Sequence, residues 1–247
     1  MNSHIQIPKC VFKEFVNDGN FFYKFDVKTK KVSKGYPKTT YTSENYYTKS
    51  MEQKLNKYVE TPLNKLLLFA RQLPTRELPV VVENEIKNLA LTYVQSLVAR
   101  SPILFESMIE NSVYLQFLPR ESLHDIAVNY AMRDNNLKKF YENYQLSFMV
   151  NMTDNSFVLP TRGQYEYQIN EVQCINVPLT PKCSIFFKEP GKKIHKSVQE
   201  ENFILYIKED CIDIVNKLNR FAVETQCRDS NGYIVCDEKD YLIQLFN

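Results

Sequence analysis

The chain has 247 residues, 44% of them hydrophobic and 24% charged, a balance that fits a globular protein and excludes a disordered or fibrous one. Its net charge of +2 implies no large field of one sign, so overall charge gives no argument for nucleic acid. No apolar run approaches the roughly 18 residues of a membrane-spanning helix. The opening MNSHIQIPKC contains no secretory apolar core. The six cysteines, Cys10, Cys174, Cys183, Cys211, Cys227 and Cys236, lack C-x-x-C spacing. The expectation is free thiols in a reducing compartment, and hence a cytoplasmic protein without a membrane partner.

In chain order, residues 1–49 lack helical periodicity and read as β. Asn17-Asp18-Gly19-Asn20 is a turn signal, and the aromatic stretch after it predicts a hairpin over about 21–27 and 30–34. Pro8 limits the first element to an edge strand or an extended arm. Residues 50–145 read as amphipathic helices. Met51, Leu55 and Tyr58 keep helical spacing up to Thr61-Pro62, where a new helix or a kink begins. The clearest helix carries Val82, Ile86, Leu89, Ala90, Tyr93, Val94, Leu97 and Val98, and ends at Ser101-Pro102. Further helices are expected over about 103–117, 120–132 and 134–144. From 146 to 247 the chain returns to β: strands over about 146–151, 157–159, 165–169, 173–178, 184–188 and 203–208, a late helix over 211–225, and a last strand over 232–236. This order predicts one α+β domain over residues 1–247, its C-terminal strands antiparallel, both β segments in one shared sheet and the helices on one side.

Several chemistries can be set aside. The five glycines are scattered, whereas phosphate-binding loops need them clustered so that backbone amides can approach the phosphate. No nucleotide or flavin motif is present. His4, His124 and His195 lack a second ligand at zinc spacing, which leaves a divalent metal as the one cofactor class still open. Glu85-Ile86-Lys87 has the spacing of a restriction-type nuclease but falls on the best helix, where a solvated face is expected. The lysine runs Lys28–Lys34 and Lys188–Lys196 read as solvated turns.

His4-Ile5-Gln6-Ile7-Pro8, followed by Phe12, Phe15 and Asn17-Asp18-Gly19, resembles the opening of the domain-of-unknown-function family 4238. Phe25-Asp26-Val27-Lys28, Ser43-Glu44-Asn45-Tyr46-Tyr47, Ala99-Arg100-Ser101-Pro102, Pro178-Leu179-Thr180-Pro181 and Leu218-Asn219 extend the likeness along nearly the whole chain. One departure is that Thr161 stands where the family's central motif carries an aspartate, with Asp154 as a substitute carboxylate nearby in sequence. The family brings no established activity; its occurrence beside genome-defence genes implies a role against phage.

The candidate catalytic residues are therefore His4, Glu44 and Arg100. His4, beside a fixed proline, would serve as general base or metal ligand. Glu44 would pair with His4 or Arg100, and Arg100, at a helix C-terminus, would clamp an anion. Two functions are carried forward: a defence-associated enzyme acting on nucleic acid or a nucleotide, and a non-catalytic module binding a protein partner through an aromatic-rich β surface. The first requires His4, Glu44 and Arg100 to meet in a pocket.

Overall fold

The computed structural model describes residues 2–75, 80–112, 115–133, 135–191, 204–229 and 231–246. The N-terminal part comprises β1 (Asn2–His4), α1 (Lys9–Glu14), β2 (Phe22–Asp26), β3 (Lys31–Gly35) and β4 (Thr42–Glu44). The helical part comprises α2 (Lys49–Leu55), a π-helical turn (Asn56–Glu60), α3 (Thr61–Gln72), α4 (Asn84–Ala99), α5 (Pro102–Glu110), α6 (Arg120–Arg133) and α7 (Asn135–Glu142). Then follow β5 (Gln145–Asn151), β6 (Leu159–Pro160), β7 (Tyr165–Ile169), β8 (Val172–Thr180), β9 (Cys183–Lys188), β10 (Ile204–Ile207), α8 (Ile212–Arg228), β11 (Tyr233–Cys236) and α9 (Lys239–Gln244). His195 and Lys192–Lys196 lie outside the described residues.

The α+β class and the predicted hairpin, β2–β3, are present. In place of one shared sheet the described residues form three: β1–β4; a four-stranded sheet in the order β3-β2-β11-β6; and a five-stranded sheet in the order β10-β5-β9-β8-β7. The first and last thirds do meet, since β11 pairs antiparallel with β2 from Tyr233 opposite Asp26 to Cys236 opposite Tyr23. The C-terminal strands are not all antiparallel, because β10 lies parallel to β5.

The helices are not on one side of the five-stranded sheet. Alternate residues of each strand point to opposite faces, and both faces are covered. Phe148, Val150, Ile175, Val177, Ile185 and Phe187 enter a core with α1, α3 and α4. Met149, Cys174, Phe186, Leu205 and Ile207 enter a second core with α8 and α9. The sequence could not separate these arrangements, because a strand buried on both faces reads as a continuous apolar run. In the five-stranded sheet the aromatic side chains Phe148, Tyr165, Tyr167, Phe186 and Phe187 are buried, whereas Tyr23 and Tyr233 of the four-stranded sheet are partly exposed. The most exposed aromatic side chains among the described residues lie in the helical part, at Phe117, Tyr130 and Tyr58.

Helix α4 matches its periodicity, with Ile86, Ala90, Tyr93, Val94 and Leu97 buried. Glu85 pairs with Lys65 at the surface, so the Glu-x-Lys spacing lies on a solvated face. The helix stops at Arg100 because Pro102 holds Ser101 extended, at φ −67° and ψ 125°. Short α1 carries no periodic signal in the sequence, because six residues, of which Val11 and Phe12 are the buried ones, are too few to show a period.

Candidate functional site

Arg100 is the centre of a buried polar cluster. Its side chain is 2% exposed, and its Nη2 donates to the main-chain carbonyl of His4 at 2.7 Å. Nη1 pairs with Glu60 Oε1 at 3.3 Å, and the guanidinium carbon lies 5.7 Å from the centre of the Tyr47 ring. Burial opposes the charge on Arg100, but Tyr47 and Glu60 outweigh it and hold the pKa above its ordinary value. The arginine therefore stays a cation and ties β1 to the helical layer.

Each partner arrives by a local rule. Pro62 at the start of α3 has no N–H to give, and the turn before it widens so that Thr61 N–H reaches the Asn56 carbonyl, five residues back. Such π-turns occur often at functional sites, and this one carries Glu60. Tyr47 is fixed by donating its hydroxyl to the Ile5 carbonyl at 2.8 Å. Helix α2 starts at Thr48, whose hydroxyl accepts the Met51 N–H at 3.2 Å while Asp125 of α6 accepts from Thr48. Gln6 completes the attachment of the arm by donating to the Leu97 carbonyl at 2.9 Å.

His4 sits half-buried against Phe12, with ring centres 5.8 Å apart. Burial, then the charges of Arg100 and Lys9, lower its pKa from 6.5 to about 4, so the imidazole is neutral at physiological pH. Its Nδ1 is buried without a hydrogen-bond partner, and so are Ser3 Oγ, Glu52 Oε1, Tyr93 Oη and Arg100 Nε. Cys10 also feels this cluster: burial, then Glu60, push its thiol up to about 12. It is no thiolate nucleophile in this setting.

The structure brings His4 and Arg100 together but leaves Glu44 out. In the β1–β4 ladder Glu44 lies opposite Asn2, while His4 lies opposite Thr42, and Glu44 is exposed. The carboxylate that meets Arg100 is Glu60, flagged in the sequence only by the kink signal at Thr61-Pro62. Arg100 contacts the main chain of His4 and not its ring, so it positions the strand that carries the imidazole. Beside Arg100 a void of about 10 Å³ is shared with Tyr46, Ser101, Phe105 and His124, large enough for about one water. His124 donates from Nδ1 to the Tyr46 carbonyl at 2.6 Å and stacks on the Tyr46 ring at 3.7 Å.

Thr161 is fully buried and structural. Its hydroxyl accepts the Tyr233 N–H at 2.9 Å and lies 3.3 Å from Gln226 Oε1. Asp154 is an exposed turn residue whose carbonyl accepts from Lys182. All six cysteines are free thiols. Among the described residues no group of three His, Cys, Asp or Glu side chains is placed to hold a metal ion, and no helix is long and apolar enough to cross a membrane. No family model, curated protein or solved structure matches the chain, so the reading of the site rests on its own geometry.

Proposed function

We propose that this protein is an enzyme acting on a nucleotide or a nucleic acid, with His4 as its general base. The observation that supports this reading is the condition of the imidazole, which is uncharged at neutral pH, has a buried and unpartnered Nδ1, and stands beside Lys9. A neutral imidazole can take the proton of an attacking water as that water adds to phosphorus, and with Nδ1 buried this falls to Nε2. Arg100 is a positioning residue in this scheme, its charge offset by Glu60 and its side chain too buried to clamp substrate. Glu44 has no role. A nuclease of this kind would serve the defence role implied by the resemblance.

The test is turnover of mononucleotides and of labelled RNA, single-stranded DNA and duplex DNA, with magnesium, manganese or chelator. The wild type is expected to cleave at least one of these, with a rate that rises near pH 4 and is flat through neutrality. His4→Gln is expected to lose about a hundredfold or more at an unchanged melting temperature. Absence of turnover on every substrate, or retention of the rate in His4→Gln, contradicts the proposal. A non-catalytic module is the second reading. Phe117, 84% exposed, and Tyr130, 64% exposed, favour it.

A further inference from the structure

A groove runs between α1 and the turn after β3, lined by Lys9, Lys13, Val16, Asn20, Tyr36, Pro37 and Lys38, with a volume of about 550 Å³. That volume lies within the range of about 300–1,000 Å³ typical of ligand sites. Three of the seven lining residues are cations and none is a carboxylate. Of the carboxylates near it in sequence, Glu14 is engaged by Arg71 at 3.1 Å and Asp18 is exposed between Val16 and Asn20. The net charge of +2 conceals this concentration because acidic residues elsewhere offset it.

The groove also has a fixed aromatic wall. The Tyr36 N–H donates to the Thr40 hydroxyl at 3.2 Å, and the Tyr36 carbonyl accepts from the N–H groups of Thr39 and Thr40. Thr40 itself is 1% exposed, so the turn is anchored in the body while the Tyr36 ring stays 51% exposed. Cations spread along a cleft with an exposed ring at its edge are the elements used to hold single strands: lysines follow the phosphates and a base stacks on the ring.

We propose that this groove binds the sugar–phosphate backbone of a single-stranded nucleic acid, with Lys9, Lys13 and Lys38 on phosphates and Tyr36 under a base. Lys9 joins the groove to His4, so the inference names the substrate of the reading above and rests on it for the identity of the active site. Binding is measured without turnover, so the two can fail separately. Fluorescence anisotropy of a labelled oligothymidylate of about a dozen nucleotides, at low and moderate salt with chelator, reports it directly. The triple variant Lys9→Gln/Lys13→Gln/Lys38→Gln is expected to bind about tenfold or more weakly, with the salt slope reduced by about 2, since each phosphate contact in a single strand contributes about 0.7. Tyr36→Ala is expected to lose about tenfold with the slope unchanged. The control Lys28→Gln/Lys30→Gln/Lys31→Gln, at the tip of the β2–β3 hairpin, is expected to bind like the wild type. The proposal is overturned if the wild type does not bind at low salt, if the groove variant binds as well as wild type, or if the control loses as much as the groove variant.

Discussion

Two regions of this molecule bury polar side chains, and they do so differently. Behind the five-stranded sheet, Asn219 accepts the Val158 N–H at 3.0 Å and donates to both the Ser156 carbonyl and the Tyr241 hydroxyl. Tyr241 donates onward to Asn216 at 2.9 Å. Gln226 accepts the Arg162 N–H and donates to the Asn231 carbonyl. The groups of this network are paired, as buried polar groups in a structural network must be, although Tyr167 Oη, Asn176 Oδ1 and Ser184 Oγ of the neighbouring strands are buried without a partner. Around Arg100 five side-chain atoms on Ser3, His4, Glu52, Tyr93 and Arg100 are buried with no partner. A buried group left without a hydrogen bond costs about 1–3 kcal/mol, so a region that keeps several of them forgoes stability that the Asn219 network secures. Perturbed and under-satisfied groups of this kind concentrate where a protein does chemistry.

The largest expected effect separates the regions by stability. Asn219→Ala removes three hydrogen bonds at a fully buried position and strands the Val158 N–H and the Ser156 carbonyl. It is expected to lower the unfolding free energy by about 3 kcal/mol, measured by urea denaturation with the slope unchanged. A loss under about 1 kcal/mol would mean that the network does not hold α8 to the loop before β6.

The next effect is in pH. The folded pKa of His4, about 4, lies below its ordinary 6.5, so between these values the unfolded chain binds the extra proton. The contribution is fully present above about pH 6.5 and is lost as pH falls toward 4. With allowance for solvent screening it amounts to about 2 kcal/mol. Relative to His4→Gln, which is as stable at neutral pH, the wild type should lose that amount of stability as pH falls across the window. A constant difference would show that His4 titrates alike in both states.

Much of the secondary structure is legible in the sequence, for stated reasons. The 3.6-residue period of α4 and the alternation of Tyr165 and Tyr167 in β7 are local signals, and local signals survive into the fold. Sheet membership is not local. Nothing between residues 21 and 35 says that β2 will pair with Tyr233–Cys236, about two hundred residues later. The site shows the same division. His4 and Arg100 were marked by their flanking prolines. Glu60 meets Arg100 from a π-turn that no helical period predicts, and Tyr93 reads simply as core on the buried stripe of α4. Glu44 has polar neighbours in sequence, but the β1–β4 register sets it two residues from the position opposite His4, where it is exposed.

The smallest effect is also the most direct test of the difference between the two regions: the unfolding free energies of Tyr93→Phe and Tyr241→Phe, measured side by side at pH 7. Each variant deletes one buried hydroxyl and leaves the ring. Tyr241→Phe should lose about 1–2 kcal/mol, because Asn216 and Asn219 each lose a partner. Tyr93→Phe should be unchanged or slightly more stable, since its hydroxyl has no partner to lose. Equal losses in the two variants would contradict the account, because they would show the Arg100 cluster to be a satisfied structural network like the one around Asn219.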